Sequence, residues 1–237
     1  MASKNEHRER WQRYWDKHSG TYDRQMHLMD RLLFGDSRAW ACAQAAGEVL
    51  EVAIGTGLNL RFYPEGVALT GIDLSAEMLA IAHTRAETTV ALVQGDAHAL
   101  PFEDDTYDTV VCTFGLCAIP DIDRAIAEMH RVLRPGGRLV LVDHVAGSAR
   151  PLRVLQRLLE TVSIPLGGGH FLRRPLDNVR AAGFRIERVQ RFKLGIVERL
   201  VALRPADQQP IMPSHQHVDA VMSPELDSAY ANHANSR

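Results

Sequence analysis

The sequence predicts an α/β fold built on a mostly parallel sheet, and three observations carry this prediction. From residue 48 onward, short apolar segments alternate with helical ones, as expected of βαβ units. The first apolar segment runs straight into a glycine turn at Gly55 and Gly57. The second apolar segment ends at Asp73, about 20 positions on, so the pair indicates a site for an adenosine-containing cofactor at the carboxyl edge of the sheet.

The N-terminal segment, residues 1–46, is predicted to be helical. Four ring-bearing side chains recur at three- and four-residue steps and therefore share one helix face: Trp11, Tyr14, Trp15 and His18. A second helix is expected from Tyr22 to Leu33, and a third from Ser37 after a break at Gly35. We expect this segment either to pack its aromatic face on the domain or to close as a lid over the cofactor.

Residues 47–204 are predicted to form the cofactor-binding domain. Five segments rich in Val, Leu and Ile resemble strands covered on both faces: 48–53, 67–72, 89–93, 108–113 and 137–143. Helices are predicted at 75–86, 121–134, 150–162 and 175–182. A closing pair of strands is expected at 184–192 and 195–203, followed by a flexible polar tail at 205–237.

Composition excludes several classes of partner. The net charge of −2 gives no electrostatic reason to expect nucleic acid or an anionic membrane. No apolar run approaches the roughly 20 residues that cross a bilayer, and the charged N-terminus has no apolar signal core. We therefore expect a cytoplasmic protein without stable membrane insertion. Cys42, Cys112 and Cys117 lack metal-like spacing and are expected to be buried thiols.

Five motifs, in order, resemble the class I S-adenosylmethionine-dependent methyltransferases, in the branch that includes the ubiquinone/menaquinone methyltransferases. They lie at residues 49–57, 71–75, 94–97, 102–108 and 133–137. The resemblance implies a Rossmann-like methyltransferase fold: a seven-stranded, mostly parallel sheet with one antiparallel strand and helices on both faces. It also implies S-adenosylmethionine as cofactor and S-adenosylhomocysteine as product. An NAD site is disfavoured, because Leu-Asn-Leu follows the turn where a third glycine is expected.

The resemblance assigns roles to residues of the cofactor site. Glu51 would accept from the methionyl ammonium, Asp73 from both ribose hydroxyls and Asp96 from the adenine amino group, while the Ala97 N–H meets a ring nitrogen. Further contacts are expected from the turn, the strand ends and two lid tyrosines: Ala53, Gly55, Thr56, Gly57, Leu74, Met78, Thr113, Phe114, Tyr14 and Tyr22. Many relatives have glycine in place of Ala53, and a methyl group is tolerated there if φ stays negative.

The methyl acceptor is expected to be a small, fairly apolar molecule, because the lid residues are largely apolar. Four segments resemble the alkyl-thiol methyltransferase-like proteins and favour a thiol acceptor: 62–64, 111–117, 143–145 and 167–170. Bacterial phospholipid N-methyltransferases share much of this pattern. Methylation at N or C of a lipid headgroup or a quinone is therefore the alternative, and a catalytically silent cofactor-binding subunit is the alternative outside enzymes.

Methyl transfer requires positioning of two partners and no covalent enzyme intermediate. A base is needed only where the acceptor loses a proton, and His144 and His170 are the candidates for an acceptor-site role. No metal is expected, since His215 and His217 have no further ligands at a fixed spacing. The sequence leaves a homo-oligomer open.

Overall fold

The computed structural model describes residues 4–167 and 169–206. Its strands are β1 (Glu48–Val52), β2 (Ala68–Asp73), β3 (Ala91–Gln94), β4 (Tyr107–Thr113), β5 (Leu133–His144), β6 (Arg185–Phe192) and β7 (Val197–Leu203). Its α-helices are α1 (Lys4–Met29), α2 (Ser37–Cys42), α3 (Ala76–His83), α4 (Ile122–Val132), α5 (Arg150–Gly167) and α6 (Pro175–Ala181). The predicted tail lies outside the described residues from residue 207 onward, as do His215 and His217.

The strands form one sheet in the order β3-β2-β1-β4-β5-β7-β6. The first five strands pair in parallel, and β7 runs antiparallel to both β5 and β6. This confirms the predicted sheet with one antiparallel strand. The strand order reverses between β1 and β4, and open α/β sheets bind ligands outside the carboxyl ends of the strands at such a point.

Helices cover both faces of the sheet. Successive residues of β1 show this, since they belong to different apolar clusters on opposite faces. Leu50 and Val52 pack in a cluster with Met129 of α4. Val49 packs in the other cluster with Ala41 of α2. All of these side chains are fully buried, as expected for parallel strands covered on both sides.

The N-terminal segment departs from the prediction in one respect. We expected two helices before Gly35, whereas α1 is a single helix that continues through Gly20. A glycine inside a helix costs about 1 kcal/mol, and the docking of α1 against α3 offsets this cost. The predicted aromatic face is confirmed by ring contacts four residues apart: Trp11 and Trp15 lie 6.4 Å apart, and Tyr14 and His18 4.1 Å apart. A π-helical turn, Asp30–Phe34, then leads to Gly35.

Two elements are longer than predicted: strand β5 begins earlier, and helix α5 ends later. β5 begins at Leu133, so Pro135 and its two glycines lie within this strand. They fall in the irregularity between Leu133 and Arg138, where the register of the pairing with β4 shifts. Helix α5 continues to Gly167, which shortens the predicted glycine loop. In the part of the chain that the structure describes, no helix is both long and apolar enough to cross a bilayer.

Candidate active site

A cleft opens at the carboxyl ends of β1, β2 and β4, the edge at which open α/β sheets bind ligands. Nine residues predicted to contact the cofactor line it: Tyr22, Ala53, Gly55, Asp73, Leu74, Met78, Asp96, Ala97 and Phe114. Trp11 and Trp15 of α1 also line this cleft. The predicted lid therefore contributes to the cleft wall.

Asp73 is held in place by backbone donors on both of its carboxylate oxygens. The Gly55 N–H donates to Oδ2 over 2.8 Å, and the Ser75 N–H donates to Oδ1 over 2.9 Å. Burial raises the pKa of the Asp73 carboxyl, and these backbone hydrogen bonds oppose the rise. The glycine turn thus orients the Asp73 carboxylate in the wall of the cleft, where its remaining lone pairs can accept hydrogen bonds from a ligand.

Asp96 is paired with His98, a residue that the sequence reasoning missed. Oδ1 of Asp96 accepts from the His98 N–H over 2.9 Å and lies 2.6 Å from His98 Nδ1. The His98 hydrogen bond lowers the pKa of the Asp96 carboxyl. Because His98 Nε2 accepts from the Asp121 N–H, the proton of a neutral imidazole is on Nδ1. Oδ2 of Asp96 can accept a hydrogen bond from a donor such as an exocyclic amine.

Glu51 and Thr113 lie buried beside the cleft, in a polar network centred on Asn59. Asn59 Nδ2 donates to Glu51 Oε1 over 2.6 Å and to Thr113 Oγ1 over 2.8 Å. The Tyr63 hydroxyl donates to Glu51 Oε2 over 2.9 Å. Burial raises the pKa of Glu51 to about 7. The third glycine of a dinucleotide site would fall at Leu60, so the motif spacing gave no signal for the neighbouring Asn59.

Arg38 on α2 supplies the one cation of this network. Its Nε contacts both oxygens of Asp30 at 3.2 Å, and its Nη1 donates to Asn59 over 3.1 Å. The guanidinium lies 4.8 Å from the centre of the Phe114 ring. Arg38 Nη2 is buried with no hydrogen-bond partner among the described residues. An arginine in a short, otherwise uncharged helix before the first strand was the overlooked signal.

These groups match the chemistry of S-adenosylmethionine. The unpaired Nη2 of Arg38 suits the methionyl carboxylate, Glu51 suits the ammonium, and Asp73 and Asp96 suit the ribose and the adenine amino group. An added Cβ at Gly55 would lie 3.8 Å from the Tyr22 ring, so glycine keeps this edge of the cleft open. The residues present therefore fit the cofactor that the resemblance implied.

Affinity for S-adenosylhomocysteine should rise about tenfold between pH 6 and pH 8. The raised pKa of about 7 means that Glu51 is largely protonated at the lower pH, and only the ionised form attracts the ligand's ammonium group. Calorimetric titration at both pH values measures the rise, which Glu51→Gln should flatten. An equal rise in the variant would assign the titration to another group.

Ala53 corrects the expectation of a negative φ at this position. Its φ is +59°, in the left-handed region that costs an L-residue roughly 1–2 kcal/mol. Phe114, at the end of the neighbouring strand β4, also has a positive φ, +55°. Strained backbone therefore lies at two adjacent points of the cleft wall, as is common where a site must hold a fixed shape.

Replacing Ala53 by glycine should raise the free energy of unfolding by about 0.5–1 kcal/mol, because relief of the positive φ exceeds the entropy cost of glycine. Urea denaturation measures this change. The matched control is Ala80→Gly at an exposed position inside α3, where the same substitution should lower stability by about 1 kcal/mol. Loss of stability in both variants would contradict the strain at Ala53.

Thr56 and Gly57 do not line the cleft. The Thr56 hydroxyl donates to Asp23 of α1 over 2.6 Å, while a Cβ at Gly57 would lie 2.7 Å from Leu60 and 3.3 Å from Ala82. Thr56 therefore anchors α1, and Gly57 allows close packing of the turn. The Ser75 hydroxyl adds a second anchor through Asp16 of α1, at 2.5 Å.

A second pocket adjoins the cleft. Trp15, Tyr22, Phe114 and Ala118 line both cavities. The remaining residues of this second pocket are Tyr14, Met26, Phe34, Cys117, His144, Ser163 and Gly169. Tyr14, predicted at the cofactor, thus lies in the wall of this adjoining space. We call this space the acceptor pocket.

His144 contributes the titratable imidazole of the acceptor pocket. Its ring stacks on Phe171 at 4.9 Å, and its buried Nδ1 has no partner among the described residues. Burial lowers the pKa of His170, whose N–H donates to the Cys117 carbonyl over 2.9 Å. Gly169, and not His170, lines the pocket. The geometry therefore favours His144 as the group that meets an acceptor.

Two buried side chains lie beside His144. The Asp143 carboxylate accepts from the N–H groups of Cys117 and His144, at 2.9 Å and 2.8 Å. Ligand atoms of Cys117, Asp143 and His144 lie within 4.8 Å of one another and could hold a metal ion. Burial raises the pKa of the Cys117 thiol well above its ordinary value. All three cysteines are buried and free, as predicted.

Comparison with known proteins gives consistent matches. Residues 50–141 match the family model described as a methyltransferase domain. Over 126 residues the chain is 44% identical to a phosphatidylethanolamine N-methyltransferase from Cereibacter sphaeroides, covering 51% of this chain and 62% of that protein. Over 156 residues it is 35% identical to a demethylmenaquinone methyltransferase from Thermus thermophilus, covering 60% of this chain and 71% of that protein. The chain thus spans about two thirds of the length of these relatives.

Solved structures share the fold. An S-adenosylmethionine-dependent methyltransferase from Thermotoga maritima superposes with a TM-score of 0.63 at 22% identity, covering 81% of this chain and 99% of that chain. The [4+2]-cyclase SpnF superposes with a TM-score of 0.59 at 23% identity, covering 72% of this chain and 79% of that chain. The fold is therefore shared by proteins named for different reactions.

Proposed function

Because this chain belongs to the class I S-adenosylmethionine-dependent methyltransferases, we propose that it transfers a methyl group from this cofactor to the headgroup amine of a membrane lipid. The single observation that carries the proposal is the acceptor pocket: an aromatic space, holding one imidazole, that adjoins the cofactor cleft.

Separate groups of residues would position the two ends of the cofactor and shield the reacting methyl group. When bound, the cofactor supplies an electrophilic methyl group on a sulfonium. Asp73 and Asp96 orient the nucleoside end, Arg38 and Glu51 hold the amino-acid end, and the aromatic residues shared by the two cavities exclude water. Such positioning supplies several kcal/mol of the barrier reduction, up to about 7–11.

The aromatic wall of the acceptor pocket suits a lipid amine, whose nitrogen gains methyl groups in the reaction. Aromatic faces attract ammonium and methylammonium groups by about 0.5–2 kcal/mol each, and five aromatic side chains line the pocket: Tyr14, Trp15, Tyr22, Phe34 and Phe114. An amine attacks as the free base, forming the N–C bond as the C–S bond breaks, and one proton must leave. His144 is the group placed to take that proton.

A quinol is the second candidate acceptor. The relative from Thermus thermophilus is a demethylmenaquinone methyltransferase, and the apolar walls of the pocket would also accept a flat ring. A quinol carbon becomes nucleophilic when the adjacent phenol ionises, which again calls for a base such as His144. The sequence favoured a thiol acceptor, but neither relative described above is named for a thiol. We therefore place a thiol third among the candidate acceptors.

Incubation of the full chain with methyl-labelled S-adenosylmethionine and three acceptors tests the proposal. The acceptors are phosphatidylethanolamine in mixed micelles, a demethylated naphthoquinol and an alkyl thiol. We expect label in phosphatidylethanolamine, with mono- and dimethylated products by mass spectrometry. Label in the quinol alone would transfer the assignment to the second candidate, and label in the thiol alone would contradict a lipid acceptor.

A further inference from the structure

Helix α5 turns two hydrogen-bonded polar side chains, Gln156 and Glu160, toward the protein and five apolar side chains toward solvent. Gln156, only 6% exposed, accepts from the Gly147 N–H over 2.8 Å and donates to the Val145 carbonyl over 2.9 Å. Glu160 accepts from the N–H groups of Phe171 and Leu172, at 2.7 Å and 2.8 Å. This inner face is fastened to the protein by hydrogen bonds, the reverse of the usual amphipathic packing.

The outer face of α5 is an apolar stripe. Its members recur at one- and three-residue steps, so that they share one side of the helix. Between 49% and 62% of each side chain is exposed: Val154, Leu155, Leu158, Leu159 and Val162. An exposed apolar patch of this kind marks a surface that another body covers.

Basic residues border this stripe. Arg150 and Arg157 on α5 are exposed, and the tip of the β6–β7 hairpin adds Lys193 and Leu194, the latter 78% exposed. A hydrogen bond of 3.0 Å from the Ser148 N–H to the Leu194 carbonyl holds this tip at the start of the helix. The exposed residues between 148 and 162 include no acid, so this face is locally basic although the chain's net charge is −2.

We propose that the apolar stripe of α5, with its flanking arginines and the β6–β7 tip, docks on the surface of an anionic lipid bilayer. Apolar side chains on one face with arginines beside them are the pattern of helices that lie in the membrane interface. The cationic border complements the negative charge of the bilayer surface. In a symmetric dimer through this face the two basic borders would meet and repel each other, so charge favours an anionic lipid surface over a second copy of this chain.

The docking surface leads toward the acceptor pocket. Ser163, one residue beyond the stripe on α5, lines that pocket and donates to the Gly169 carbonyl over 2.7 Å. A lipid at the docked face would therefore lie at the pocket's rim. This link to substrate delivery rests on the proposed function, whereas the docking itself does not depend on methyl transfer.

Vesicle co-sedimentation of the full chain, without cofactor or methylation assay, tests the docking. We expect binding to phosphatidylcholine vesicles that contain about 30 mol% phosphatidylglycerol, and weaker binding at high salt. Leu155→Asp/Leu158→Asp should weaken binding at least about tenfold, because two apolar anchors are lost. Arg150→Glu/Arg157→Glu should weaken it about fivefold or more per arginine.

The matched control is Thr88→Asp/Thr89→Asp, which adds the same two charges at exposed positions just before the opposite edge strand β3. This control should bind vesicles as the wild type does. An equal loss of vesicle binding in the control would mean that the added net charge causes the effect, and it would overturn the proposal. So would the absence of vesicle binding by the wild type, or a wild-type dimer in gel filtration that Leu155→Asp/Leu158→Asp converts to a monomer.

The two failures remain distinguishable. Vesicle binding without methylation of any lipid would leave the docking standing and overturn the proposed acceptor. Methylation of lipid in micelles by a chain that binds no vesicle would overturn the docking alone.

Discussion

Replacing Asp73 by alanine should remove most of the stabilisation that S-adenosylhomocysteine gives to the folded protein. Two charge-assisted hydrogen bonds to the ribose contribute about 3–5 kcal/mol together, so affinity should fall by a factor of at least about 100. At a ligand concentration 100 times the wild-type Kd, the wild type gains about 2.7 kcal/mol, or a Tm rise of roughly 5–10 °C. The variant should gain no more than about 0.4 kcal/mol, a rise of roughly 1 °C or less.

Asp73 also accepts from the N–H groups of Gly55 and Ser75, so its loss affects the turn as well as the ligand. Asp73→Asn retains the size and one acceptor, and we expect a loss of affinity between those of wild type and alanine. Asp104→Ala, at a side chain that is 71% exposed, is the matched control and should leave the Tm rise unchanged. A full rise in Asp73→Ala would remove this carboxylate from the cofactor site.

Replacing His144 by alanine should lower kcat by a factor of about 10²–10⁴ and leave affinity for S-adenosylhomocysteine within about twofold, because the imidazole lines the acceptor pocket, where the proposed mechanism uses it as a base. Initial rates with labelled cofactor measure the first effect, and calorimetry the second. A loss of affinity as large as the loss of kcat would instead indicate a structural role for His144.

The control is His83→Ala, at an exposed position in the last turn of α3, which should turn over at the wild-type rate. His170→Ala separates the two candidates from the sequence. A larger loss of kcat in His170→Ala than in His144→Ala would identify His170 as the base.

The strand-end residues of the site were predictable because a parallel sheet places them by chain order alone. Asp73 and Asp96 follow short apolar strands, and the topology brings them to one edge. Helix α3 begins after an N-cap of the same local kind, because the Ser75 hydroxyl accepts from the Met78 N–H three residues on. Such features depend on sequence spacing, which is visible without a structure.

Residues that act through tertiary contacts were not predictable. Arg38 and Asn59 are far apart in sequence, and their hydrogen bond exists only once α2 packs beside the glycine turn. The φ of Ala53 is set by the path from β1 to the turn, which overrides the ordinary preference of alanine. The outward leucines of α5 have a helical period, which predicts a buried face, and only the structure shows them exposed.

The central claim is that the cleft at the ends of β1, β2 and β4 binds S-adenosylmethionine. Calorimetric titration of the full chain with S-adenosylhomocysteine and, separately, with NAD tests this claim most directly. We predict saturable binding of S-adenosylhomocysteine at one site per chain and no heat of binding with NAD. Binding of NAD without binding of S-adenosylhomocysteine would contradict it.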